Sequence, residues 1–298
     1  MKLADVAKLG NDSIPLSSLA SDKGLAREVQ TRLAVAGLLD PPSDGKFGAV
    51  SSWALQEFCK ARGLAFDQAL TAPVASALLG DDVAATFLLQ PGNDFAGRIV
   101  KALQKRGDWI CRHPACFNIV YVEGANPDGT KNDNKPNEFN DVRILLQTDK
   151  NGTCKIVKAW EGTTEPGRQF TMNPLDPKGA ARIAFGQYKA WSVGTHHPGQ
   201  KGAHAALVQV EDIHIFRDLN KDFKREGDKE FTGVFAINQH WGYDAPKNDL
   251  KNTSAGCLVG RTKDGHREFM KLVKSDPRFK ANNGYRFMTS VFPVGDVG

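Results

Sequence analysis

Cys257 sits at the end of Ser254-Ala255-Gly256-Cys257, and His240-Trp241-Gly242 precedes it by 17 positions (257 minus 240). A cysteine attacks carbonyls as its thiolate, so it needs a base, room for the substrate, and backbone N–H groups free to hold an oxyanion. This window has residue types for all three. Val234-Phe235-Ala236-Ile237-Asn238 alternates apolar and polar like a strand that delivers His240 at its end, and Tyr243 to Thr253 reads as a loop. Gly256 allows a tight turn, so the amides around Gly256 and Cys257 are expected to face one spot. A loop that returns Cys257 to His240 makes a nucleophile and base, with the imidazole keeping the sulfur ionised. The bland alternative is a buried, inert thiol, since Cys257 is one of five cysteines.

The pattern of a histidine followed by Ser-x-Gly-Cys resembles the signature of the L,D-transpeptidase (YkuD-like) family of peptidoglycan enzymes. The resemblance implies Cys257 as nucleophile, His240 as base, and Ser254 with Gly256 as the turn that shapes the oxyanion site. Trp241, Tyr243, Ala255, Arg261 and His204 are the candidates for substrate contact. Two departures from the family stand out: Ala255 occupies a place where many members carry His, and Leu258-Val259-Gly260-Arg261 follows the cysteine where Arg or Asn comes sooner. The implied reaction is attack of Cys257 on the carbonyl between the third-position diamino acid and D-alanine of a stem peptide. The thioester is then resolved by an amine, giving a crosslink or an exchanged D-amino acid, or by water. Asn238 and the backbone near Ser254 are candidates for orienting His240.

A second signal lies near the N-terminus. Leu33 and Leu38 continue an apolar periodicity opened by Arg27-Glu28-Val29-Gln30; Asp44-Gly45-Lys46-Phe47-Gly48 follows, then Trp53, Ala54 and Phe58 at helical spacing. This reads as helix, tight turn, helix, with Phe47 plugging the gap. The arrangement resembles the peptidoglycan-binding domain found beside cell-wall hydrolases, over roughly residues 22 to 80. A generic helical hairpin is the competing reading.

Other clusters carry alternatives. His196, His197 and His204 suggest a metal-dependent cell-wall peptidase, although no acid intervenes before Glu211 to complete a ligand set. Asp218-Leu219-Asn220-Lys221-Asp222 begins like a calcium loop, but Phe223 and Lys229 stand where Gly and a bidentate acid belong. Cys111 and Cys116, with His113 between them, invite a disulfide or a metal; Cys59 and Cys154 read as core. A third class of reading is a non-catalytic wall-binding protein. The cysteine reading requires no cofactor and no metal.

Whole-chain properties set the frame for these elements. Its 298 residues suit a small domain followed by a catalytic one, at roughly 100 to 200 residues per domain. Hydrophobic content of 41% and charged content of 24% are those of a globular protein. Net charge is 39 minus 34, or +5, and basic residues from Arg261 to Lys280 read as a solvated helix face, with no nucleic-acid motif. Short β-branched runs at 117–122, 142–147, 155–160, 205–210 and 213–216, separated by Gly, Asn, Asp and Pro, predict a mostly antiparallel sheet or sandwich. Glu123 to Asp141 reads as a long loop, and Leu89 to Asp94 as a linker. The expected fold is α+β: a three-helix peptidoglycan-binding-like domain over 1–88, then an L,D-transpeptidase-like domain over 95–298. Met1 to Ala20 shows no apolar signal core and no segment is long enough to span a membrane. The expected partners are therefore stem peptides and glycan, without nucleic acid or membrane insertion. The expected setting is synthesis in the cytoplasm and action at the wall as a phage endolysin or a toxin delivered by a contractile secretion system. Secretion machinery or an immunity protein would then be further partners.

Overall fold

A computed structural model describes residues 1–298. The first part of the chain holds α1 (Leu3–Val6), β1 (Ser13–Pro15), α2 (Leu16–Ser21), α3 (Lys23–Val35), α4 (Ala49–Ala61), β2 (Ala69–Thr71) and α5 (Ala72–Leu79), with β1 and β2 paired antiparallel. The three helices expected here are thus five, joined by a two-stranded ribbon. Asp22 caps α3 by accepting from the Gly24 and Leu25 N–H groups, and the helix buries Leu25, Val29 and Leu33. The side chain of Gln30 ties the 44–48 turn together. Its Nε2 donates to Asp44 Oδ1 at 2.9 Å and to the Lys46 carbonyl at 3.1 Å, while its Oε1 accepts from Gly45 N–H at 2.7 Å. Phe47 enters the core between the helices, as its position predicted.

After α6 (Phe95–Arg106), capped by Asp94, the chain becomes β-rich: β3 (Asn118–Glu123), β4 (Asp141–Thr148), β5 (Cys154–Thr163), α7 (Arg168–Met172), β6 (Ala180–Ile183), β7 (Gly186–His196), β8 (His204–Gln209), β9 (Ile213–Asp218), β10 (Lys229–Gly233), β11 (Gln239–Trp241) and β12 (Leu258–Gly260). Helices α8 (Lys263–Val273) and α9 (Pro277–Ala281) and strand β13 (Phe287–Pro293) complete it. The fold is mixed α+β. The sheet, however, is neither open nor a sandwich: eight strands close into a barrel in the order β11-β12-β5-β4-β3-β13-β7-β8. Two pairs in it, β11 with β12 and β3 with β13, run parallel. A small antiparallel sheet, β10-β9-β6, lies beside the barrel.

Alternation along the strands feeds two cores. Ile119, Tyr121 and Leu145 pack with Trp191, Leu207 and Phe269 on one side, while Val120, Val122, Ile144 and Leu146 pack under Ile99 and Leu103 of α6 on the other. Burial on both faces explains why 117–122 reads as an almost unbroken apolar run. The Val234–Asn238 stretch is not a strand. Ala236 takes a left-handed φ of +59°, which ends the extended run that the alternation suggested. The expected linker is tied down as well, since Gln90 N–H donates to the Gly152 carbonyl in the β4–β5 turn at 2.7 Å. Asp218 closes a polar turn by accepting from the Asp222 and Phe223 N–H groups, at 3.1 and 3.0 Å.

The helices are anchored on the barrel through buried charge. Asp40, 2% exposed, accepts from Arg278 Nη1 at 2.8 Å and from the Tyr285 hydroxyl at 2.6 Å, and Lys189 Nζ stands 3.3 Å away. Arg278 continues the network to Asp276 and the Phe117 carbonyl. Removing one partner strands the others without solvent. Asp40→Ala is therefore expected to lower stability by about 3–5 kcal/mol, read as a fall in the urea midpoint, while Asp40→Asn loses less because it keeps an acceptor.

Candidate active site

The parallel pairing of β11 with β12 places Gln239 opposite Leu258 and His240 opposite Val259. Cys257, one step before β12, therefore lies against the residues just before β11. Its Sγ accepts from Asn238 N–H at 3.4 Å, and its thiol donates to the Ala236 carbonyl at 3.5 Å. The left-handed turn at Ala236 brings these two backbone groups to the same sulfur. Below the sulfur, Ser254 Oγ donates to the Cys257 carbonyl at 3.0 Å and accepts from Gly256 N–H at 3.1 Å. One hydroxyl thus closes the 254–257 turn. Gly256 has φ +125°, and a Cβ there would collide with the Ala181 carbonyl, so both the conformation and the space demand glycine. The expectation that two amides face one spot changes accordingly. Gly256 N–H is spent on Ser254, and Cys257 N–H is the donor left without an acceptor in the chain.

Cys257 and His240 line one pocket of about 570 Å³, together with His196, His197, Asn238 and Ala255. The thiol and the imidazole are not hydrogen-bonded to one another. His240 Nδ1 donates to the carbonyl of Trp241 at 2.8 Å, which leaves Nε2 as the unprotonated nitrogen, with no bond of its own. Its orienting group is thus the next residue's backbone. Asn238 instead orients His196, its Nδ2 donating to His196 Nδ1 at 3.1 Å. The two rings are stacked, with centroids 3.9 Å apart and planes 10° from parallel.

Burial governs the protonation of this site. It pushes the Cys257 thiol up to about 11, against a smaller lowering by the Asn238 N–H bond. It also pushes His240 well below the usual imidazole range, with the stacked His196 adding to the effect. His196 is lowered to about 3 by burial and then by His197 and His204. Burial thus favours a neutral thiol beside a neutral imidazole at rest, where the sequence leads to the expectation of an ionised sulfur.

The remaining candidates divide between the pocket and its surroundings. Ala255 lines the thiol pocket; Trp241, Tyr243, His204 and Arg261 do not. Trp241 stacks on His204 at 3.7 Å, and both nitrogens of His204 are occupied, Nδ1 by the Gly202 carbonyl and Nε2 by Trp241 N–H. Tyr243 stands edge-on to His204, half-exposed at the rim. Arg261 donates from Nε to Glu161 Oε2 at 2.6 Å. No three His, Cys, Asp or Glu side chains converge as a metal-ligand set, and all five cysteines are free thiols. Sequence reading missed His196 as a neighbour of His240. The available signal was its place at the end of a strand whose partner begins with His204, a pairing visible only once β7 is recognised.

No family model and no curated protein matches this sequence. Among solved structures, a fused Zn-dependent amidase/peptidase/peptidoglycan-binding domain-containing protein from Clostridium acetobutylicum is similar at 12% identity, over 94% of this chain and 99% of that one, with a TM-score of 0.30. An L,D-transpeptidase from Xylanimonas cellulosilytica is similar at 12% identity, over 89% of this chain and 92% of that one, with a TM-score of 0.23. At such scores neither superposition bears on the fold or activity of this chain.

The buried neutral thiol has a direct signature. Alkylation of Cys257 by iodoacetamide, followed by peptide mass mapping, is expected to accelerate with pH up to about 11. A rate that levels off below pH 8 would show instead a thiol ionised at rest.

Proposed function

We propose that this protein is a cysteine acyl-transfer enzyme acting on the stem peptides of peptidoglycan, with Cys257 as nucleophile and His240 as its general base. One observation supports this above the others: Cys257, whose backbone N–H is unbonded, and His240, whose Nε2 has no hydrogen-bond partner, line a single pocket. The choice of polymer rests on the His-to-Ser-x-Gly-Cys pattern and on the helix-turn-helix held around Asp44 to Gly48, each of which resembles peptidoglycan-directed proteins.

In the proposed mechanism the substrate carbonyl enters beside Cys257 and its oxygen accepts from Cys257 N–H. The thiol proton passes to His240 Nε2 while Sγ bonds to the carbonyl carbon. A free thiolate and imidazolium are costly in this site, so proton transfer and attack proceed together. The hydrogen bond absent at rest forms only when substrate displaces the thiol from the Ala236 carbonyl. Collapse of the tetrahedral intermediate expels D-alanine as its amine, which takes the proton back from His240 and leaves a thioester on Cys257. An acceptor amine or water then releases the acyl group. The Ser254 hydroxyl holds the turn and takes no part in proton transfer. The helical part of the chain serves as the wall anchor.

Mass spectrometry of tetrapeptide muropeptides incubated with the protein tests this reading. D-Alanine is expected to be lost, and added D-amino acid to be incorporated if an amine resolves the thioester. Cys257→Ala is expected to abolish both while still sedimenting with purified wall. Unchanged muropeptides after long incubation, or equal turnover by Cys257→Ala, would refute it.

A further inference from the structure

Arg217 stands where two pockets meet. It lines the thiol pocket and also a neighbouring one of about 660 Å³, which Lys178, Lys229 and Phe231 border as well. The placement follows from strand register. Arg217 of β9 is paired with Ala181 of β6 on one side and with Lys229 of β10 on the other, so the three side chains share one face of the small sheet. Ala181 belongs to the thiol pocket and Lys229 to its neighbour, with Arg217 in both. The guanidinium lies 5.5 Å from the centroid of the Phe235 ring, with Nη1 donating to the Gly179 carbonyl at 3.1 Å and Nη2 3.1 Å from Asp176 Oδ2. The turn that begins at Asp176 completes the common wall, and the wall is low, since Leu175, Pro177 and Lys178 are exposed.

Positive charge gathers along this wall. Like charges directly opposite on neighbouring strands repel, and Arg217 is opposite Lys229. Lys178 and Lys229 are both exposed, and their ammonium nitrogens lie 5.2 and 5.4 Å from the centroid of a single ring, Phe231. An aromatic face can hold a cation without neutralising it, so both ammoniums stay available to an anion. The acids lining the two pockets are already engaged or hindered. Asp176 serves Arg217 and accepts from Lys178 N–H at 2.9 Å, and one oxygen of Asp228 is buried. A ligand that carries carboxylates relieves the repulsion between Arg217 and Lys229 and finds its partners at the surface.

We propose that a peptide held at Cys257 crosses this wall and lays free side carboxylates against Arg217, Lys178 and Lys229, so that the protein selects acidic stem peptides over the same stems with those carboxylates amidated. The proposal deepens the acyl-transfer reading and rests on it for the identity of the peptide. A terminal D-alanine carboxylate is a single anion beside three cations, so the groups read here are those along the stem. Arg217 is then a substrate-binding residue as well as the clamp on the 176–179 turn.

Calorimetry on the full chain carrying Cys257→Ala, titrated with a tetrapeptide stem whose side carboxylates are free and with its amidated counterpart, tests this without turnover. The free-acid stem is expected to bind about tenfold or more tightly, the value of one charged hydrogen bond. Adding Lys178→Gln with Lys229→Gln, or Arg217→Gln alone, is expected to weaken the free-acid stem about tenfold and to leave the amidated stem within about twofold. A purely structural role for these residues would weaken both stems alike. Equal affinity for the two stems, no saturable binding of either, or selectivity that survives the two lysine substitutions would overturn the proposal. If Arg217→Gln fails to fold, the exposed lysines still decide it. Turnover by the unaltered protein with equal affinity for the two stems removes this subsite and keeps the Cys257 chemistry; selective binding without turnover does the reverse.

Discussion

A single sulfur held between a carbonyl and an amide sets what this molecule can do. The Ala236 carbonyl accepts from the thiol and the Asn238 N–H donates to the sulfur, and both contacts follow from one left-handed residue and one parallel strand pair. The turn from Ser254 to Gly256 fixes the other side. Barrel closure supplies the rest, because β12 is held between β11 and β5 and cannot slide without exposing Leu258 and Val259. The Cys257 thiol is thus positioned by backbone geometry, the least forgiving kind of support.

The neighbouring histidines impose a second constraint. Stacked imidazoles cannot both carry charge at 3.9 Å without repelling each other in a dry site. The stacked pair therefore holds at most one positive charge at a time, and it does so reluctantly. With the thiol pushed up and His240 pushed down, burial favours a pair that is neutral at rest. A resting site of this kind resists adventitious oxidation and alkylation, since it is the thiolate that those reactions consume.

Much of this was legible in the chain, for reasons that are local. Ser254, Gly256 and Cys257 form a turn whose chemistry depends on adjacent residues, and Gln30 with Asp44 to Phe47 likewise forms a nearby unit. What stayed hidden depends on distance in sequence. Nothing near Asp40 announces that Arg278 and Tyr285 will enclose it. Strands β11 and β12 are three residues each, too short for periodicity to register, and β13 returns from the end of the chain to pair with β3. Gly186 to Lys189 is half polar and half-buried, so β7 gives no alternating pattern where it begins, and the sequence reads His196 at its far end as part of a turn. The apolar alternation of Val234 to Asn238 misled because Ala236 adopts a conformation that sequence rarely signals.

The most direct test is to catch the covalent intermediate. Enzyme mixed with a tetrapeptide stem, quenched in acid within the first turnover and weighed intact by mass spectrometry, is expected to gain the mass of the stem without its terminal D-alanine. Peptide mapping should place that mass on Cys257 as a hydroxylamine-labile thioester. Product that accumulates while the protein keeps its original mass under every quench time, or an adduct on a different residue, would contradict a thioester at Cys257.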